Sequence, residues 1–197
     1  MRTTPTVGGS ILAVPRRLAV YDTEIIGFRS GVRLVSNMNE GEEWDEVIMD
    51  NVRMKRGRTF FETGHDTTRL QITNCRAEEF DGSDGGAILV DRGSGVIDGG
   101  TIANNHIIDS NGPVIEVTNS MNRMLVTGNI FEDIDDHFIE IDDSSEWFVT
   151  NNTFINGTGD IAVETGTSGD NIYVNNRLID TADSWNIDAS STEENNY

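Results

Sequence analysis

Carboxylates are the residues best placed to do chemistry in this chain. Asp133, Asp135 and Asp136 fall in one short loop, and Asp142 and Asp143 close the apolar run that begins at Phe138. Glu116 and Glu140 hold equivalent places in two similar runs, Val114-Ile-Glu-Val117 and Phe138-Ile-Glu-Ile141, 24 residues apart. Hydrolysis of a glycosidic bond needs such a pair, one carboxyl as acid and the other as base or nucleophile. If the two runs are neighbouring strands, their glutamates stand roughly 4.8 Å apart, close enough to share a proton or a cation. Asp135, Asp136, Glu116 and Glu140 are therefore the candidate catalytic residues. With 34 acidic residues in a chain of 197, clusters of this kind also arise by chance, so catalysis is the alternative reading. A lyase would further need a base nearby, yet beyond residue 92 only Arg123 and Arg177 are basic.

Asp81, Asp84 and Asp91 lie among glycines and form the candidate cation loop, because calcium takes several oxygen ligands from a flexible turn. The usual calcium-loop spacing is absent, so the expectation is no cofactor beyond a structural cation. His65, His106 and His137 show no metal-ligand spacing, and His106 and His137, which follow Asn-Asn and Asp-Asp turns, read as solvated residues. No Ser-His-Asp signature, phosphate loop or dinucleotide motif occurs. Asn156-Gly-Thr158 is the plausible glycosylation acceptor.

The elements that must position these groups come from a repeat. Val149-Thr-Asn-Asn-Thr-Phe154 has clear copies starting at Met49, Ile72, Ile102, Val126 and Tyr173, and a weaker one at Val20. The third position reads Asp22, Asn51, Asn74, Asn104, Gly128, Asn151 and Asn175, with spacings of 29, 23, 30, 24, 23 and 24 residues. Such a period means stacked supersecondary units. The short β-branched runs on either side read as strands. Asn tolerates left-handed backbone, so Asn51, Asn74, Asn104, Asn151 and Asn175 form a turn column whose amides are expected to hydrogen-bond along the stack. Three short strands per unit describe an all-β fold, a right-handed single-stranded parallel β-helix of about seven coils. Residues 1–17 are expected to cap it or dock, 18–190 to form the coils, and 191–197 to be a polar tail. Phe131, Phe138, Phe148, Phe154 and Tyr173 read as core or as flanking it, which leaves few aromatics for a sugar groove.

The net charge is −20, and of 14 basic residues Lys55 alone is lysine. Acidic excess of this kind holds water and ions in concentrated salt, which screens the self-repulsion, so a halophilic, haloarchaeal setting is expected. Residues 1–92 carry 12 basic and 15 acidic side chains, against 2 and 19 in 93–197, so one end is nearly neutral and the other anionic. Arg53, Lys55, Arg56 and Arg58 form the basic cluster. The overall sign disfavours nucleic acid, no apolar run approaches the length of a membrane span, and the single Cys75 excludes an intrachain disulfide. The N-terminal apolar stretch is too short and broken for a convincing secretion signal.

The Asn-Asn-x-Phe repeat resembles the pectate-lyase-like β-helix superfamily, which also includes tailed-virus tailspikes. The resemblance covers roughly residues 18–190. It implies either a groove-binding polysaccharide enzyme or a viral spike, the latter commonly a parallel trimer. The expectation is a structural and adhesive virion surface protein, a spike, fibre or turret component. It would form a homotrimer, meet other virion proteins through its N-terminal end, and bind a host surface glycan, with no nucleic acid and no membrane insertion. The alternative is a small polysaccharide lyase or glycoside hydrolase.

Overall fold

The computed structural model describes residues 16–34, 44–63, 66–81, 88–90, 96–118, 120–182 and 184–197. Among them are 22 strands and no helix, so none is long and apolar enough to cross a membrane. The strands lie in three sheets, one of eight strands and two of seven, and every pairing within them is parallel. Each coil gives one strand to each sheet in turn. Coil five, for example, contributes Met121–Thr127, Ile130–Ile134 and Ile139–Asp142. The expected architecture, stacked coils of three short strands, is the one observed. Along most strands one side chain points inward and the next outward, while Thr59–Thr63 is buried along its whole length. The inward set builds one continuous core that includes Phe60, Phe61, Phe131, Phe138, Phe154 and Tyr173. Phe154 packs between Phe131 and Phe138, with ring centroids 5.6 and 5.0 Å away. Each such buried ring contributes about 1.5–3 kcal/mol of transfer free energy.

Phe148 is the aromatic that flanks the core and does not enter it. It lies between the buried Trp147 and Val149 and is 42% exposed on the outer face of the first sheet. Strand register places it in a row with Gln71, Thr101, Leu125 and Ile172. A parallel outer row runs through Thr73, Ala103, Thr127, Thr150 and Val174.

Between first and second strands the chain turns on a left-handed residue. Asn51, Asn74, Asn104, Asn151 and Asn175 have φ of 53°, 54°, 56°, 57° and 57°, and Gly128 has 66°. In the early coils this column does bond along the stack, Asn51 Nδ2 donating to Asp22 Oδ1 at 2.6 Å and Asn74 Nδ2 to Asp50 Oδ1 at 2.7 Å, but the continuous amide ladder does not run through these residues. Their side chains are exposed, because the left-handed turn aims this position outward and the next one inward. The ladder belongs to that next position, Asn105, Asn129, Asn152, Asn176 and Asn196. Each Oδ1 from Asn129 onward accepts both the backbone N–H and the Nδ2–H of the preceding member, at 2.8–3.1 Å. Each Nδ2 also donates to a carbonyl of the coil before, as from Asn129 to Ile102 at 2.9 Å. Burying these amides is affordable because the backbone N–H, the side-chain oxygen and the Nδ2 donor all have partners. Cys75 ends the ladder: its N–H donates to Asn105 Oδ1 at 2.9 Å, and its thiol faces the Met49 carbonyl at 3.6 Å, where an amide would otherwise donate.

A second left-handed corner follows the second strand's inner residues. Gly27, Arg56, Glu79, Asp109, Asp133, Asn156 and Asp180 all have positive φ there. The C-terminal residues also differ from expectation. Residues 191–197 do not trail away as a polar tail: Thr192–Glu194 is an eighth strand of the first sheet, paired with Ile172–Val174, and Asn195 turns left-handed like its predecessors. Its side chains are polar, so alternation alone gave no strand signal. Of the proposed N-terminal cap, residues 1–15 lie outside the described residues.

Candidate functional site

The most developed polar constellation lies on the outer face of the second sheet, in coils two to five. The strands Arg53–Gly57, Arg76–Phe80, His106–Ser110 and Ile130–Ile134 are neighbours. Their register aligns Arg53, Arg76, His106 and Ile130 in one outward row, and Lys55, Glu78, Ile108 and Glu132 in the next. Lys55 Nζ lies 2.8 Å from Glu79 Oε1 and 3.5 Å from Glu78 Oε2. Arg76 Nε binds the other oxygen of Glu78. Arg76 Nη1 lies 2.8 Å from His106 Nδ1, and His106 Nε2 lies 2.9 Å from Glu132 Oε2.

The chain of contacts fixes the imidazole. A guanidinium only donates, so His106 Nδ1 must accept, and the ring proton sits on Nε2 and is donated to Glu132. Both ring nitrogens are engaged, and the ring is half-buried rather than the solvated turn residue expected. The Arg76 hydrogen bond holds the Glu78 carboxyl below its ordinary range, and the bond to Glu79 holds the Lys55 ammonium above its own. Beside this row, Glu79, Asp109 and Asp133 of the second corner border a shallow open depression with Arg76, Glu78 and Ile108. Arg56 adds a further ion pair to Glu79 at 3.7 Å.

The candidate catalytic carboxylates lie elsewhere. Glu116 and Glu140 are partners in register on the third sheet, each between buried residues, so both face outward from adjacent strands. Asp135 and Asp136 sit in the corner before that sheet. There the Asp135 N–H donates to Ser110 O at 2.9 Å, and Asp136 Oδ1 accepts the His137 N–H at 2.8 Å. His137 Nδ1 in turn accepts the Asp160 N–H at 3.1 Å, so it too serves the turn. Asp81 accepts from Asn111 at 3.2 Å. Asp84, Asp91 and His65 lie outside the described residues. Among the described residues no group of three or more His, Cys, Asp or Glu is placed to hold a metal ion.

Residues 59–197 match the family model described as the right-handed β-helix region. The chain belongs to this right-handed β-helix family. The match spans more than two thirds of the sequence and gives the coils their hand. No curated protein and no solved structure matches the chain.

One further charged residue of this β-helix escaped the sequence reading. Glu164 pairs in register with the buried Ile141, not with Glu140, so it belongs to the inward column. Its Oε1 accepts from Tyr173 Oη at 2.8 Å and Asn171 Nδ2 at 3.0 Å; its Oε2 accepts from the Asp188 N–H and Ser191 Oγ, each at 2.9 Å. Four donors make it a polar closure of the core. Burial and the neighbouring Glu164 carboxylate push the Tyr173 phenol well above its ordinary range. The only sequence signal was a one-residue slip of the Ile-x-Glu pattern.

Proposed function

We propose that this β-helix is a structural and adhesive rod displayed at a surface, in the first instance as a spike or fibre component of a virion, and that it binds an extended glycan along the outer face of its second sheet. In this reading copies assemble as a homotrimer, and the more basic N-terminal end meets the partner proteins of the particle. The observation that carries the reading is the locked row from Lys55 to Glu132. It presents fixed donors and acceptors at strand spacing, about 4.8 Å per coil, with both nitrogens of its one histidine already engaged. That arrangement favours display over proton transfer. The exposed Arg53 and the paired Arg76, Lys55 and Arg56 favour an acidic sugar such as a uronate.

The second reading, a small glycoside hydrolase or lyase, draws support from the registered pair Glu116 and Glu140. One experiment separates the two. Defined acidic oligosaccharides are incubated with the wild type and with Arg76→Gln, His106→Gln and Glu140→Gln, and both retention and sugar release are measured. Binding lost in the first two variants, with no release of reducing or unsaturated ends, is the expected result. Sugar release abolished by Glu140→Gln would sink the adhesive reading. Mass spectrometry of purified particles tests the virion assignment separately.

A further inference from the structure

The two outer rows of the first sheet, from Gln71 and Thr73 through to Ile172 and Val174, contain no charged side chain. This occurs on a chain with 34 acidic residues and a net charge of −20. The face is parallel-stranded, Ala103 and Thr150 of its second row are buried, and its centre is apolar: Leu125 is half-buried, and Phe148 and Ile172 are 42% and 41% exposed. Charge resumes at its margins, with the Asp98–Arg123 ion pair at one side and Asp50 and Glu194 at the two ends of the rows. Depletion of charge at the centre with a polar rim is the composition of an interface core.

We infer that this face is where a second copy of the chain docks. The occupant follows from charge. Two bodies that each carry −20 repel on most approaches, and the uncharged face is the one on which their strands can meet without setting carboxylate against carboxylate. Five strands at about 4.8 Å, with Ala103 and Thr150 already buried, offer at most roughly 300 Å² a side, well below the ~800 Å² of a standard interface. The contact is therefore weak and reversible, and salt strengthens it. At about 1 M the screening length falls to about 3 Å, which removes the repulsion and leaves the apolar attraction. This deepens the assembly part of the reading above by naming the face. It does not depend on glycan binding, and its test reads mass alone.

Sedimentation equilibrium of the whole chain at about 0.2 M and about 3 M salt provides the test. The expected result is a mass near the monomer's 21.7 kDa at low salt, and association strengthened at least about tenfold in molar salt. The triple variant Leu125→Thr, Phe148→Thr, Ile172→Thr keeps strand-forming residues and should remain monomeric at both salts, with an unchanged circular dichroism spectrum. Ile130→Thr, at an exposed apolar position on the second sheet, should associate as the wild type does. A wild type that stays monomeric at every salt overturns the inference. So does a folded triple variant that still associates, and so does a monomer that uses these residues to bind a neutral polysaccharide.

Discussion

The two left-handed corners of each coil have the same backbone and different chemistry. Both columns repeat in step: Asn51 to Asn74 and Arg56 to Glu79 are each 23 residues apart, and Asn74 to Asn104 and Glu79 to Asp109 are each 30. At the first corner the next side chain points into the core and must satisfy the turn, so from coil four onward it is asparagine. At the second corner the following inward residue is Gly57, Phe80, Ser110, Ile134 or Gly157, and no ladder forms. The first corner is committed to holding the fold. The second is free to carry the charges that surround the Lys55–Glu132 row, although left-handed geometry at Arg56 or Glu79 costs about 1–3 kcal/mol.

The comparison breaks most visibly at the centre of the ladder. Asn129→Ala deprives Asn105 of its acceptor and leaves buried N–H groups unpaired, so chemical denaturation should show a loss of about 2–4 kcal/mol. At Cys75 the same corner is sensitive to alkali. Burial raises the thiol from 9.0 to about 11. The folded value lies above the unfolded one, so the contribution is intact below about pH 9 and is lost as pH climbs through 11, amounting to about 2–3 kcal/mol at most. Melting curves from pH 8 to 11.5 on wild type and Cys75→Asn should show this lability eased in the variant, with the Tyr173 phenol accounting for the rest. Cys75→Asn also extends the ladder by one member, and at neutral pH it should match the wild type or exceed it by up to about 1 kcal/mol. The smallest effect belongs to the second corner. Glu79→Asn relieves backbone strain but gives up ion pairs with Lys55 and Arg56, so its stability should stay within about 0.5 kcal/mol of wild type while oligosaccharide binding changes.

This asymmetry also explains what the sequence disclosed. The coils and the first corner were legible because Asn marks left-handed backbone at a regular interval. Which of two adjacent asparagines points inward was not, since Asn151 and Asn152 look alike until the turn is built. The second corner was hidden because Arg56, Glu79 and Asp109 share no chemistry, only a spacing. The polar row was hidden for a related reason: Arg76, His106 and Glu132 are separated by 30 and 26 residues, and only the true register makes them neighbours. Glu116 and Glu140 were paired correctly because their coils have equal length.

The direction of the amide ladder has a mechanical consequence. From Asn105 to Asn176 every inward asparagine grips the coil before it and the coil after it, so no interior coil of this stretch can detach alone. In coils two and three that position is held by Val52 and Cys75, and the grip is missing or reduced to a thiol. A rod pulled by its two ends should therefore peel from the N-terminal side, then resist in even steps, one coil at a time, as a zipper does once the first teeth have parted.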